Sequence, residues 1–88
     1  MGKVGITVKV MPEGVETDLE RIKEEIIKIK EKLKAEEIKI QEMPIAFGLK
    51  ALIVGIIRDD SLGTEGIEEE ISKIEGVSDV RVESATLI

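Results

Sequence analysis

An apolar run from Leu49 to Ile57 constrains the fold of this 88-residue chain more than any other feature. Only Lys50 and Gly55 interrupt the run. A helix that crosses a bilayer needs about 20 apolar residues, so the run is too short to span a membrane. A short segment that is apolar on both faces is typical of a central strand in a sheet. We therefore predict a strand over residues 49–58.

The half of the chain before this run contains two further strands and a helix. Residues 2–11 alternate, with apolar residues at the even positions, which predicts a half-buried strand. Apolar residues at helical spacing predict an amphipathic helix over residues 18–34. Thr17 is the predicted N-cap of this helix, and Glu20 completes a capping box. Residues 36–42 alternate again and predict a second strand.

The half after the run contains a second helix and a last strand. Thr64 is the predicted cap of that helix, Gly66 weakens its first turn, and Gly76 ends it. Residues 77–86 alternate and form the last strand. The resulting order is β-α-β-β-α-β. It predicts an α+β, ferredoxin-like sandwich with a four-stranded antiparallel sheet and two helices on one face.

A weak internal repeat relates the two halves of the chain. A shift of 47 residues places the apolar positions of the first strand on residues 51–57, and Thr17 on Thr64. The repeat predicts strand-to-helix connections of equal length, and it turns the odd residues of the central strand toward the helices. The open face of the sheet then carries an apolar stripe formed by Leu52, Val54 and Ile56. Such a stripe is either a partner surface or a surface shielded by long charged side chains.

Composition excludes several classes of function. The chain has 13 basic and 19 acidic residues, a net charge of −6, and a single Phe as its only aromatic residue. It therefore lacks the basic balance and the stacking platform of nucleic-acid-binding domains, and we predict no direct nucleic-acid or membrane partner. The Glu- and Lys-rich, Cys-free composition is typical of proteins from hot environments. No signal peptide precedes the first strand, which predicts a cytoplasmic protein.

Few residues are available for catalysis. The sequence contains no His and no Cys, which removes Ser-His and Cys-His nucleophiles and thiolate metal sites. No P-loop pattern is present. Asp59 and Asp60 are able to bind a cation, but Asp is frequent in turns because its side chain bonds the nearby backbone, and we favour the turn. We predict no catalytic residue, no metal and no cofactor, and hence a protein that is not an enzyme.

The sequence Pro-Ile-Ala-Phe-Gly-Leu-Lys-Ala-Leu at residues 44–52 resembles a segment of the translation elongation factor 1-beta family. In that family, Pro-x-Gly-Phe/Tyr-Gly-Ile/Leu-Lys-Lys-Leu leads into the central strand. An Asp-Asp turn, a Thr-capped acidic helix and a short strand follow, and residues 59–88 keep that order. The small size is similar to the archaeal form. The resemblance implies that residues 1–88 form a single exchange-factor domain that promotes GDP release from elongation factor 1-alpha, the GTPase that delivers aminoacyl-tRNA.

The resemblance also implies which residues bind the GTPase. Phe47 matches the family aromatic that docks on the GTPase, although the only aromatic residue of a chain is also a natural core residue. Lys50 matches a basic residue of the family, and an exposed Lys at a strand end is an equally simple interpretation. Pro44 and Gly48 are implied to shape the bend rather than to touch the partner.

Three departures from the family pattern affect the implied mechanism. Ala46 replaces a Gly, and Ala51 replaces a second Lys. Eukaryotic members carry a Lys next to last that enters the magnesium site, whereas this sequence ends with Leu87 and Ile88. Two alternatives follow. Either a partner contact by Leu87 and Ile88, through a carboxylate or the apolar tail, acts differently from that Lys, or the factor disrupts the site by pushing on the switch region of the GTPase.

Two other functions fit the same order of elements. A regulatory module of the amino-acid-sensing (ACT-like) type binds a small molecule at its first strand-to-helix loop, where this chain has Gly14. A structural subunit would instead pair through the predicted stripe of Leu52, Val54 and Ile56. An exchange assay with the GTPase separates the first function from these two.

Overall fold

Four strands and two α-helices follow in the order β-α-β-β-α-β along residues 2–88, the part of the chain that the computed structural model describes. Met1, the first residue of the predicted domain, lies outside it. The strands are β1 (Lys3–Pro12), β2 (Glu37–Pro44), β3 (Lys50–Asp59) and β4 (Val77–Leu87), and the helices are α1 (Leu19–Lys28) and α2 (Ile67–Ser72). The strands form one antiparallel sheet in the order β2-β3-β1-β4. The predicted α+β, ferredoxin-like fold is confirmed.

The core lies between the central strands and the helices. In the register of β1 with β3, Val8 pairs with Val54 and Ile6 pairs with Ile56. All four side chains are at most 1% exposed. They pack in one cluster with buried residues of both helices, which are Ile22, Ile26, Ile67 and Ile71. Both helices therefore cover the same face of the sheet, as predicted.

The predicted apolar stripe on the open face is wrong. Leu52, Val54 and Ile56 have no exposed surface and belong to the core. The 47-residue shift moves an even strand position to an odd one, whereas β1 and β3 pair even residues with even residues. The two strand-to-helix connections also differ in length, since six residues (13–18) precede α1 and seven (60–66) precede α2. Pairing of subunits through this stripe is excluded with it.

The start of α1 differs from the predicted cap. Asp18 is the N-cap, and its Oδ1 accepts a hydrogen bond of 3.2 Å from the backbone N–H of Arg21. The hydroxyl of Thr17 instead accepts a hydrogen bond of 3.0 Å from the backbone N–H of Gly14. Thr17 therefore closes the loop before the helix. Either residue type can cap a helix, and the sequence pattern alone does not decide between neighbours.

Helix α1 is shorter than the predicted span of 18–34. The N–H of Lys30 donates to the carbonyl oxygen of Ile27, three residues back, at 3.1 Å, so the α-helical pattern has ended. Lys34 then reverses the chain in a left-handed conformation (φ 54°). Leu33 nevertheless remains buried at 1% exposure. The apolar spacing correctly predicted burial, although it did not predict the helix end.

Helix α2 begins later and ends earlier than predicted. Its N-cap is Gly66, in the left-handed conformation (φ 81°), rather than Thr64. A side chain at this position would be strained, so Gly66 fits the start of the helix instead of weakening it. The helix ends at Ser72, and Gly76 (φ 98°) lies in the turn before β4. No helix within residues 2–88 is long and apolar enough to span a membrane.

A bulge in β4 changes which side chains face the helices. Val82 pairs with Val8, but the next pair along is Ser84 with Thr7, so Glu83 is the extra residue. Val80 and Val82 pack against the core, as predicted. After the bulge, Ser84 shares the open face of the sheet with Thr7.

Candidate functional site

The hairpin between β2 and β3 ends in a tight turn, Ala46–Gly48, that holds Phe47 away from the core. Phe47 adopts φ 62° and ψ 34°, a left-handed conformation that is rare for residues other than Gly. Its side chain is 95% exposed. The interpretation of Phe47 as a core residue is therefore wrong. Since a left-handed residue with a side chain costs on the order of 1–2 kcal/mol, the fold itself gains nothing from an aromatic residue here.

Pro44 and Gly48 lie on either side of this exposed aromatic residue. Pro44 is the last residue of β2 and pairs with Lys50. Gly48 adopts φ 78°, which a side chain would strain. The backbone closes the turn with a hydrogen bond of 2.7 Å from the N–H of Ile45 to the carbonyl oxygen of Leu49. The tip of the hairpin is therefore fixed by its own backbone.

An ion-pair network joins the base of the hairpin to α1. Nζ of Lys50 lies 3.7 Å from Oε1 of Glu42, and Nζ of Lys23 lies 2.8 Å from Oε2 of the same carboxylate. The hydrogen bond from Lys23, with a smaller contribution from Lys50, holds the pKa of Glu42 below its ordinary value of 4.5. Hydrogen bonds to Glu42 and Glu20 raise the pKa of Lys23. Lys50 is the more loosely held of the two lysines and remains about half exposed.

The loop between β1 and α1 lies beside the hairpin tip and presents a second exposed apolar residue, Val15. Its side chain is 61% exposed. Its Cγ1 lies 3.8 Å from the position that a Cβ would take on Gly48, so the loop and the tip are neighbours. Sequence reasoning missed Val15 because one Val among Gly and Glu residues has no periodic signal. Its exposure beside Phe47 is visible only in the folded chain.

Leu87 and Ile88 lie at the opposite end of the sheet from Phe47. Leu87 pairs with Val4, near the start of β1, and the N–H of Ile88 donates to the carbonyl oxygen of Lys3 at 2.9 Å. The hairpin tip instead adjoins the far end of β1. Both terminal side chains are more than 70% exposed. The structure therefore separates the four predicted contact residues into two groups, one at each end of the sheet.

Asp59, the last residue of β3, and Asp60 begin a turn. Oδ1 of Asp59 accepts hydrogen bonds from the hydroxyl (2.7 Å) and the backbone N–H (2.9 Å) of Ser61. These two bonds lower the pKa of Asp59. The turn interpretation is confirmed. Within residues 2–88, no group of three or more His, Cys, Asp or Glu residues is arranged to hold a metal ion.

Arg58 is a buried charged residue that sequence reasoning did not single out. It is 3% exposed, and burial lowers the pKa of its guanidinium. Nη1 donates to the carbonyl oxygen of Leu33 at 2.8 Å, while Nη2 donates to those of Gly63 at 2.8 Å and Glu65 at 2.7 Å. Arg58 therefore fixes the turn after β3 against the segment after α1. Its partners are backbone carbonyls, which no residue pattern reveals.

Comparison with known proteins identifies relatives along nearly the whole chain. The family model described as the EF-1 guanine nucleotide exchange domain matches residues 5–88. The chain is 49% identical over 86 residues to elongation factor 1-beta of Methanosarcina acetivorans, with 93% of each chain covered. Identity to elongation factor 1-beta of Methanothermobacter thermautotrophicus is 48% over 85 residues, which covers 93% of this chain and 92% of the relative. For elongation factor 1-beta of Metallosphaera sedula, identity is 43% over 89 residues, with 98% and 96% covered.

Proposed function

The chain belongs to the elongation factor 1-beta family of guanine-nucleotide exchange factors, and from this we propose that it promotes GDP release from elongation factor 1-alpha. The match of the exchange-domain model to residues 5–88 carries the proposal. The family acts in translation elongation, so the proposed place of action is the cytoplasm. We further propose that residues 1–88 work as a single domain, because all four strands share one sheet and one core.

Exchange of this kind requires a difference in affinity rather than a reacting group. A factor that binds the nucleotide-free GTPase more tightly than the GDP-bound form weakens GDP binding by the same ratio. A coupling of 1–3 kcal/mol corresponds to roughly a 5- to 150-fold change in GDP affinity. The proposed role therefore assigns no bond-making step to any residue of this chain. It requires surfaces that fit one state of the partner better than the other.

The first proposed contact surface is the hairpin tip with Phe47 and Lys50. An exposed aromatic side chain in a fixed turn loses little conformational freedom when it binds, which favours its use as an anchor. Aromatic residues are enriched among the residues that dominate binding energy. Lys50 adds a positive charge at the base of the same hairpin. The exposure of Phe47 and the backbone strain at that residue support this assignment.

The second proposed contact surface is the end of β4, with Leu87 and Ile88. Both side chains are apolar and exposed, and the backbone of Ile88 is held to β1. Residue 87 is Leu, so this end of the sheet offers the GTPase an apolar side chain at that position. We propose that it acts by apolar contact that displaces part of the nucleotide site. The two surfaces thus hold the GTPase at two separated places.

A nucleotide-release assay tests the proposal. Elongation factor 1-alpha is loaded with a fluorescent GDP analogue, and release into excess unlabelled GDP is followed with substoichiometric amounts of this protein. The expected result is faster release with multiple turnovers per molecule of factor. A ferredoxin-like domain of similar size from another family serves as the control for nonspecific effects. An unchanged release rate overturns the proposal, and a rise in thermal stability with an added amino acid would favour the amino-acid-sensing alternative instead.

A further inference from the structure

A depression lies between the loop before α1 and the hairpin tip, and we call it the tip depression. It is lined by Pro12, Gly14, Val15, Leu19, Gly48 and Lys50, together with Thr17. Its volume is about 270 Å³. Pro12 is buried and Leu19 is half-buried, while Val15 is mostly exposed. Apolar groups of Pro12, Val15 and Leu19 therefore line the depression together with polar groups of Thr17 and Lys50, and Gly48, the neighbour of Phe47 in sequence, forms part of its edge.

The walls of the tip depression are fixed before any partner binds. The loop is held by a hydrogen bond of 2.9 Å from the N–H of Glu13 to the carbonyl oxygen of Gly76. It is also closed on itself, since the hydroxyl of Thr17 accepts from the N–H of Gly14 at 3.0 Å and the N–H of Thr17 donates to the carbonyl oxygen of Gly14 at 3.2 Å. A preformed concave site avoids the free-energy cost of ordering its walls on binding.

The size of the depression limits the kinds of group that can bind in it. Pockets for small-molecule ligands usually measure about 300–1,000 Å³ and enclose most of the ligand. The tip depression, at about 270 Å³, lies at the lower edge of that range and is open to the surface. A single side chain from a protein partner fits these dimensions.

The charges around Val15 further limit the partner surfaces that can bind at the depression. Glu13 and Glu16 stand on either side of it, and both are exposed. A second copy of this chain, which also carries a net charge of −6, would bring the same acidic loop into a like-charge contact. A partner surface with basic groups facing these two carboxylates is complementary to them, while Lys50, which lines the depression itself, is complementary to an acidic or neutral group.

We propose that the tip depression receives an apolar side chain of elongation factor 1-alpha, flanked by basic groups, and that Val15 is a docking residue that extends the Phe47 surface. This inference rests on the proposed exchange function and names a residue that the family resemblance did not supply. Phe47 then inserts into the partner while the partner inserts into the depression. Two interlocking contacts fix the orientation of the factor better than one exposed aromatic residue alone.

Two matched substitutions test the role of Val15 in docking. Val15→Ser and Ile27→Ser each remove an exposed apolar side chain, and Ile27 on α1 is 49% exposed and does not line the tip depression. We expect Val15→Ser to raise the factor concentration for half-maximal GDP release about fivefold, with an unchanged maximal rate. Ile27→Ser should leave both quantities unchanged. Combining Val15→Ser with Phe47→Ala should raise the half-maximal concentration by less than the product of the single effects, because the two interlocking contacts depend on each other.

A measurement that does not depend on exchange separates failure of this inference from failure of the proposed function. Methyl NMR signals of Val15 and Ile27 are followed while nucleotide-free elongation factor 1-alpha is added. Broadening or shifts at Val15 but not at Ile27 support the inference. If the protein accelerates GDP release but Val15 is unaffected, only the inference is overturned. If the protein neither binds the GTPase nor accelerates GDP release, both the inference and the proposed function are overturned.

The same NMR experiment also detects binding of other ligands in the tip depression. Shifts of the Val15 signals on addition of a mixture of the twenty amino acids, without the GTPase, would overturn the inference in favour of a small-molecule site. Shifts that depend on the concentration of the chain alone would overturn it in favour of a second copy.

Discussion

Arg58 on β3 and Leu33 after α1 are joined by a buried hydrogen bond of 2.8 Å between Nη1 and the carbonyl oxygen. The same guanidinium also donates hydrogen bonds to the carbonyl oxygens of Gly63 and Glu65. One side chain therefore connects the segment after α1 to the connection before α2. Arg58 therefore links two segments that are distant in the sequence.

Replacement of Arg58 by Met should strongly destabilise the protein. Met keeps an apolar stem of similar length but leaves the carbonyl oxygens of Leu33, Gly63 and Glu65 without their donor. The expected loss is about 3–5 kcal/mol in the free energy of unfolding, measured by urea denaturation. Arg81→Met on the exposed part of β4 is the matched control and should change stability by less than about 0.5 kcal/mol. A similar small change for both variants would contradict the structural role of Arg58.

Replacement of Phe47 should separate stability from function. Phe47→Gly relieves the left-handed backbone conformation and should raise the free energy of unfolding by about 0.5–1 kcal/mol, after allowance for the greater freedom of Gly in the unfolded chain. Phe47→Ala removes the same aromatic ring but keeps most of the strain, and it should not stabilise. Both variants should weaken docking to elongation factor 1-alpha to a similar extent, as an increase in the half-maximal factor concentration. Normal exchange by either variant would exclude the ring as an anchor.

The end of β4 should affect a different step of exchange. In Leu87→Ala/Ile88→Ala the two apolar side chains are lost, but the backbone hydrogen bond from Ile88 to Lys3 remains possible. We expect the maximal rate of GDP release to fall while the half-maximal concentration changes little, because docking at the hairpin tip is retained. The control is Ala85→Ser, a small change in the same strand. A maximal rate equal to that of the unmodified protein would rule out a contribution from these two side chains.

Acid should weaken the link between the hairpin and α1. The pKa of Glu42 is lowered in the folded protein, mainly by its hydrogen bond with Lys23. A carboxylate with a lowered folded pKa contributes stability above its ordinary value of 4.5, and this contribution disappears as the pH falls through the folded pKa. Urea midpoints measured from about pH 7 to about pH 3 should therefore fall less steeply for Glu42→Gln than for the unmodified protein.

Glu83→Gln, on β4, controls for the loss of one negative charge. It should keep the full pH dependence of the unmodified protein. Parallel curves for Glu42→Gln and the unmodified protein would show that the ion pairs of Glu42 do not differ between the folded and unfolded states.

The order of the elements was predictable, because alternation and helical spacing report directly on which residues are buried. Which residues of β3 point toward the helices was not predictable. The segment from Leu49 to Ile57 is apolar on both faces, so its pattern does not show which face is buried. Pairing with β1 decides it, through contacts such as Val8 with Val54. A spurious repeat based on Thr17 and Thr64 led to the opposite phase, because the two connections differ by one residue.

The candidate site was predictable in part. The segment around Phe47 could be recognised from its residues, but its exposure depends on a backbone angle that the sequence does not determine. The relation between the hairpin tip and the loop of Val15 arises only from folding, because the two segments are distant in the sequence. Arg58 was missed for a similar reason, since its partners are carbonyl oxygens that any residue type carries.

The ten-residue strand β3 acts as a spacer between the two proposed contact surfaces. At about 3.3 Å per residue, it sets them roughly 30 Å apart. Side chains of a strand alternate between the two faces of the sheet. Inserting one residue would therefore move every side chain beyond the insertion to the opposite face, whereas inserting two would keep each side chain on its face and lengthen the strand by about 7 Å. The reach of such a factor therefore changes in steps of a residue pair unless a bulge, such as that at Glu83 in β4, absorbs a single extra residue. If a GTPase has a slightly different spacing between its two binding sites, the factor must match that spacing through its side chains rather than through a longer strand.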